Sequence, residues 1–319
     1  MDYIAKASSL SAIKDKKEKG ATAIEWQLIG DNYEPIKGEL PLPIINVHTT
    51  LVNNNDVCFD LAFAEHNNIL INPNFELKSK PIYHYKELLV AMNLAEYYAI
   101  HQGIQVVVVV HSMSCIPVSK YQEIAQWFLE LFKAYPHVDI AVENSSVIGN
   151  ERYFRGVSEP SSIPFYIESI RKFLPFGYKN RLGTTLDTCH ALMSARLMNL
   201  IAKEEELDSF VVDETSFLEQ HFISYSDTIK VIHFNNARNL GKRKNHGVGF
   251  YTEADKVLCK NLFDFYKKYA KGARFVIEIR EDDYENAINF ENTVKLLNTF
   301  IQNTGGEGRR YGNKYSNED

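Results

Sequence analysis

The sequence predicts an α/β chain closed into a single (β/α)8 barrel. Three observations carry that expectation. Eight strand-like runs alternate with helical stretches over about 300 residues, and eight such units close naturally on themselves. One run holds five consecutive valines, Val106 to Val110, the near-continuous apolar pattern of a strand buried on both faces of a parallel sheet. No glycine-rich phosphate loop follows an early strand, although the alternative, an open doubly wound sheet, should show one.

In chain order, residues 3–7 form a first short strand. Residues 8–19 read as a helix, with Ser8 or Ser9 as its N-cap and Gly20 closing it. Residues 21–28 are the second strand, and a loop with Pro35, Pro41 and Pro43 leads to the third, 44–48, which ends on His48. After an Asn-rich, irregular connection, residues 85–101 place Leu88, Leu89, Met92, Leu94, Ala95 and Tyr98 at mostly helical spacing, and Gly103 ends that helix. The valine strand, 105–110, then runs into His111. Residues 120–134 are an amphipathic helix, and 138–142 a strand ending on Glu143. The alternation continues with a helix at 162–173, a strand at 182–186 ending on Asp187, and a helix at 190–203. A strand at 229–232 ends on His233, a helix covers 253–269, a strand at 274–277 ends on Glu278, and the last helix covers 290–302. Right-handed crossovers join such units into a parallel sheet. The expectation is one domain, 1–303, with a polar, Gly-rich tail at 304–319.

Bulk composition narrows the function classes. The chain has 319 residues, 45% hydrophobic and 24% charged, an ordinary globular balance. A net charge of −6 argues against a surface that is a polyanion footprint throughout, but leaves room for a local basic groove. Cys58, Cys115, Cys189 and Cys259 are widely spread, with no C-x-x-C pair, which fits reduced thiols better than a disulfide scaffold. The N-terminus lacks a charged segment followed by an apolar one, and no apolar run approaches the roughly 20 residues that cross a bilayer. The expectation is a cytoplasmic protein with no membrane and no obligate protein partner.

The strand ends carry the chemistry. In a (β/α)8 barrel the carboxyl ends of all strands converge on one face. Six consecutive strands end on His48, His111, Glu143, Asp187, His233 and Glu278. Each is a metal-ligand type, and a His/carboxylate set without thiolate suits zinc or manganese. His190 stands three residues after Asp187, as D-x-x-H, and is a candidate seventh ligand. Taken singly, each has a plainer reading: a strand-end histidine is usually hydrogen-bonded in a loop or core, and Asp187 could simply cap the helix that follows. Taken together they are harder to dismiss, because uncompensated buried charges cost several kcal/mol apiece. His66, His84, His101, His137 and His221 fall in loops or helices and read as structural or exposed. Lys14, Lys16, Lys17 and Lys19 read as an exposed helix face. Arg238, Lys242, Arg243 and Lys244 form the dense positive run near the expected barrel mouth, either a phosphate-binding loop or a solvated one.

The stretch Thr185-Leu186-Asp187-Thr188-Cys189-His190-Ala191 resembles the L-D-T-C-H-A signature of endonuclease IV, the family 2 apurinic/apyrimidinic endonucleases, within the xylose-isomerase-like barrel superfamily. Glu143-Asn144 resembles that family's E-N-T motif, and His233-Phe234-Asn235-Asn236-Ala237-Arg238 its H-x-N-D-[SA]-[KR] motif. Ile277-Glu278 resembles its L-E-T strand end, and His48 and His111 match its two early histidines. The resemblance implies a xylose-isomerase-like barrel holding two or three divalent ions, zinc first and manganese second. It implies that Glu143 bridges two ions, with His48 and His111 completing one site and Asp187, His233 and Glu278 the other, and that Glu143 and Glu278 are the catalytic carboxylates. Asn235, Arg238, Lys242, Arg243 and Lys244 are then the substrate or phosphate contacts. The implied activity is hydrolysis of the phosphodiester 5′ to abasic sites, and the implied partner is DNA with abasic or 3′-blocked lesions.

The chain departs from that pattern in four places. The loop Gly241-Lys242-Arg243-Lys244-Asn245-His246-Gly247 has no D-x-H pair, so a third site is either rebuilt from His190 and His246 or lost. Asn236 stands where the motif has an acid, Ala7 where it has a histidine, and Leu51 and Val52 where it has an aromatic-aliphatic wedge. The alternative within the superfamily is a sugar isomerase or epimerase. One divalent ion would sit on Glu143, Asp187, His233 and Glu278, the two glutamates would exchange protons with substrate carbons, and His190 and Arg238 would bind substrate oxygens.

Overall fold

The computed structural model describes residues 1–29, 34–49, 81–111, 118–144, 159–238 and 245–307. Eight strands form a closed barrel: β1 Ile4–Ala7, β2 Ala23–Gln27, β3 Ile44–His48, β4 Val106–His111, β5 Val138–Glu143, β6 Leu182–Asp187, β7 Ile229–Phe234 and β8 Arg274–Ile277. Each pairs in parallel with the next, and β8 returns to β1 through Val276 opposite Ile4. The helices packed outside are α1 Leu10–Glu18, α2 Pro81–Gln102, α3 Tyr121–Ala134, α4 Ser162–Arg171, the short α5 Phe176–Lys179, α6 Thr188–Glu204, α7 Glu214–Tyr225, α8 Glu253–Tyr269 and α9 Ile288–Glu307.

The two-residue period of a strand explains what points where. Inside the barrel a small apolar layer of Ile4, Ala23, Val107, Val109, Ala141, Val231 and Val276 packs on itself. Two residues further along, the same alternation brings Lys6, Glu25, His111, Glu143, His233 and Glu278 inward at the carboxyl end. The outward set, including Val106, Val108, Val110, Ile140, Val142, Ile232 and Phe275, joins the helices in the main core. Gly183 on β6 has no room for a side chain, since a Cβ there would lie 2.6 Å from the Thr228 carbonyl and 2.7 Å from Lys230.

Helix starts follow local chemistry. Ser9 accepts from the Ala12 amide and caps α1; Thr252 and Asp255 form a reciprocal capping box on α8. Glu281 accepts from the Asn289 and Phe290 amides at the start of α9. Helix α7 escapes the sequence reading, though Asp213 caps it and Phe217, Leu218, His221, Phe222 and Tyr225 recur at helical spacing on its buried side. Helix α9 runs to Glu307, beyond the expected edge of the domain at 303.

Lys16 departs from the expected exposed face. It is 3% exposed, on the side of α1 that also buries Ala12 and Ile13, with its ammonium 5.6 Å from the centre of the Tyr284 ring. Burial lowers its pKa to about 8, despite the opposing pull of Glu281 and Asp15. Among the described residues no helix is long and apolar enough to cross a membrane.

Candidate metal centre

The six strand-end residues converge at the carboxyl end of the barrel, and four of them, His48, Glu143, Asp187 and His233, are at most 2% exposed. Glu143 sits in the middle. Its Oε2 lies 3.1 Å from His48 Nε2 and 3.0 Å from His111 Nε2, while its Oε1 lies 2.9 Å from His233 Nδ1. Glu278 Oε2 is 2.7 Å from that same His233 nitrogen, though off the line of a hydrogen bond. The ligand-type atoms fall into overlapping groups: His48, His111 and Glu143; Glu143, Asp187, His233 and Glu278; and Asp187, His190 and His246. The two carboxylate oxygens of Glu143 thus face two different groups.

The ring orientations are set by the backbone. His48 Nδ1 donates to the Thr49 carbonyl at 2.5 Å, and His190 Nδ1 to the Asn144 carbonyl at 2.6 Å. A carbonyl only accepts, so each ring carries a proton on Nδ1 and turns Nε2 to the centre. His190 Nε2 points at His246 Nε2 from 2.6 Å. Two ring nitrogens aimed at each other at that range, with His190 buried and His246 partly buried, suit a shared cation. Burial, then the His190 ring, lowers the His246 pKa to about 4.

Asp187 serves two purposes at once. Its Oδ1 accepts from the His190 amide at 2.9 Å and caps α6, as the plainer reading expects, while its Oδ2 turns to the centre and lies 3.6 Å from His190 Nε2. Asn144 clamps the same strand end, accepting from the Asp187 amide and donating to its carbonyl.

Asn235 and Asn236 are placed differently from their expected and motif roles. Asn235, expected among the substrate contacts, is fully buried; its amide oxygen accepts from the Cys189 amide at 2.7 Å and its nitrogen donates to Asp187 Oδ2 at 3.1 Å. It holds Asp187 in place. Asn236 donates to Asp255 Oδ1 at 2.8 Å, so an acid at this position would face another carboxylate. The Asn236–Val248 bridge, with the Arg238 amide donating to the Asn245 carbonyl, folds the chain back and carries His246 to the centre. Arg238 is exposed, with its guanidinium 5.2 Å from the centre of the Tyr251 ring. Lys242, Arg243 and Lys244, like Leu51 and Val52, lie outside the described residues.

Two residues inside strands join the centre without having been anticipated. Lys6 on β1 reaches Glu278 Oε1 at 2.5 Å and stands 3.9 Å from Glu25 Oε1. Glu25 on β2, fully buried, contacts His233 Nε2 at 3.1 Å. The alternation Ile4–Lys6 and Ala23–Glu25 could have found them, because it sets both on the inner face. Of the histidines read as structural or exposed, His101 donates to Tyr97, His137 pairs with Glu96, and buried His221 donates to Phe217.

The donor set fits divalent cations on charge as well as geometry. Glu25, Glu143, Asp187 and Glu278 crowd one end of the barrel. Burial raises the pKa of Glu143, but His111 and His233 outweigh it and hold the group well below the carboxylate range; Lys6 and His233 do the same for Glu278. Burial lowers the His233 pKa, yet Glu25, Glu278 and Glu143 together hold it well above the usual imidazole value. Asp187 is left with too little positive charge: burial, then Glu143 and Glu278, push it up to about 7. Burying charges this way is costly without a partner ion.

No known protein-family profile matches the chain, and no curated protein sequence matches it. Solved structures do. A probable 3-DHS dehydratase, AsbF, involved in petrobactin synthesis in Bacillus anthracis, aligns over 93% of this chain and 99% of its own, with 11% identity and a TM-score of 0.53. The TTHB071 protein from Thermus thermophilus, soaked with ZnCl2, aligns over 97% of this chain and 100% of its own, with 16% identity and a TM-score of 0.47. The fold shared with the first of these is the closed (β/α)8 TIM barrel.

Proposed function

We propose that the chain is a metal-dependent phosphodiesterase of the endonuclease IV kind, hydrolysing the phosphodiester 5′ to abasic sites in DNA. The observation that carries this reading is the position of Glu143, whose two oxygens face separate ligand groups. His48, His111 and Glu143 would hold one ion, and Glu143, Asp187, His233 and Glu278 a second; Asp187, His190 and His246 are the candidates for a third. Bound zinc or manganese would acidify a water and neutralise charge on the transferring phosphoryl group and leaving oxygen.

The protein's own groups do the rest. The Thr49 and Asn144 carbonyls fix the tautomers of His48 and His190. Asn235 and Asn144 lock Asp187, and Lys6 neutralises part of the Glu278 charge. Arg238, with Lys242, Arg243 and Lys244, supplies cations for backbone phosphates. The test is incision of a duplex oligonucleotide carrying one abasic-site analogue, with and without chelator, alongside a count of metals per chain. Chelator-sensitive cutting 5′ to the lesion with two or three ions supports the reading. A fully loaded protein that leaves the duplex intact overturns it.

One observation favours the second reading, a single-metal isomerase or epimerase. Lys6 already puts a cation against Glu278 Oε1, so one divalent ion leaves the centre no further from balance than two. Glu143 and Glu278 would then exchange protons with substrate carbons. A count of one ion per chain selects it.

A further inference from the structure

His233 is held differently from the other histidines of the centre. His48 and His190 each give their Nδ1 proton to a neutral backbone carbonyl. His233 turns Nδ1 toward Glu143 and Glu278, and its Nε2 meets a carboxylate, that of Glu25, at 3.1 Å. Glu25 is itself fixed: its Oε2 accepts from Asn46 Nδ2 at 3.1 Å, and Asn46 Oδ1 accepts from Arg274 at 2.8 Å. The line Arg274, Asn46, Glu25, His233 crosses four strands, β8, β3, β2 and β7, from the lower barrel to the centre. Glu25, Asn46 and His233 are fully buried.

We infer that Glu25 is a positioning residue for the ion shared by Glu143, Asp187, His233 and Glu278, acting through His233 rather than touching the ion. The inference rests on the metal-centre reading above. A carboxylate on the far nitrogen of a ligating imidazole fixes the tautomer and ring angle and raises the ligand's basicity, and its loss typically costs 10–100-fold in metal affinity. Glu25 also falls in a group with His48, His233 and Glu278 that could hold an ion directly. Lys6 argues against that role, because its ammonium already stands between Glu25 and Glu278, 3.9 Å from one and 2.5 Å from the other.

Glu25 hydrogen-bonds to His233 and only lies near His48, within 4.8 Å, so its removal should weaken one ion far more than the other. The experiment titrates the metal-free full chain with Co²⁺ against a chromophoric chelator, following the cobalt absorption bands. In Glu25→Gln, one dissociation constant is expected to rise about 10–100-fold with its bands shifted, while the other stays near the wild-type value. Glu25→Asp, which keeps the charge, should recover part of the loss. Two unchanged constants in a folded Glu25→Gln overturn the role. Loss of a whole equivalent also overturns it, by making Glu25 a ligand. If Glu25→Gln does not fold, Asn46→Ala takes the same titration, with a smaller rise expected at the same position and unchanged constants refuting the relay. A wild-type chain that binds no ion would sink the metal-centre reading itself, an outcome separate from two bound ions that ignore Glu25.

Discussion

The two ends of this barrel bury charge in opposite ways. At the amino end, Asp139 on β5 meets Lys230 at 2.8 Å and Gln105 at 2.9 Å, with Arg181 at 3.5 Å. Arg274 donates there to the Ile45 and Gln105 carbonyls and to Asn46, and Arg181 donates to the Phe132, Tyr135 and Val138 carbonyls. Cations outnumber the acid, and spare donors find carbonyls. At the carboxyl end four carboxylates converge on Lys6 and His233, and Asp187 is pushed up to about 7. The first network pairs its acid with cations of the chain itself; the second fits a cation from outside. Buried charge of the first kind is costly to break once formed, and buried charge of the second kind marks a candidate site.

That contrast breaks first at Glu143. Glu143→Gln removes the charge that both ligand groups share, and metal content and incision are expected to fall together, incision by roughly 10³-fold or about 4 kcal/mol in the barrier. Elemental analysis beside the cleavage assay reads both, and a variant that keeps all its metal would end the shared-ligand role. At the other end, Asp139→Asn is expected to cost about 1–2 kcal/mol of stability, after discounting for partial exposure, and to leave metal content alone. Urea unfolding measures it, and a drop in bound metal would show that the two ends are not independent.

Lys16 sharpens the comparison from outside both networks, as a buried cation whose acids act only at a distance. Its folded pKa, about 8, lies below the 10.5 of an ordinary lysine, so between those values the unfolded chain binds more protons and stability rises with pH. The cost is full below pH 8. Lys16→Met is therefore expected to stabilise the chain by about 1–2 kcal/mol at neutral pH, with the advantage fading as pH climbs through that window. Equal gains at pH 7 and pH 10 would contradict the cause. The smallest effect belongs to the basic loop. Under the proposed function, replacing Lys242, Arg243 and Lys244 with alanine is expected to weaken any DNA binding about fivefold, near 1 kcal/mol, and to flatten its salt dependence. Binding unchanged across salt concentrations would return the loop to simple solvation.

Much of the molecule was legible before folding, and the misses have physical causes. Strand ends showed because an apolar run stopping on His, Glu or Asp breaks a strong pattern, as at Val110–His111 and Leu186–Asp187. Lys6 and Glu25 did not show, because each lies inside a strand, where a charge looks like an outward-facing residue until the barrel closes. Asp187 was posed as either a cap or a ligand-type residue; the folded chain gives one oxygen to each task. Lys16 followed the composition of its neighbours rather than its helical phase beside Ala12 and Ile13.

By itself, the sequence determined the barrel, the eight strands and the residue types at their carboxyl ends, because these depend on local periodicity and on the way parallel β-α units must close. Only the tertiary structure decided which oxygen of Glu143 faces which histidines, that His190 and His246 meet across 2.6 Å, and that Glu25 stands behind His233. Those relations join residues up to 208 positions apart. They depend on strand register around the closed barrel, which no local pattern encodes.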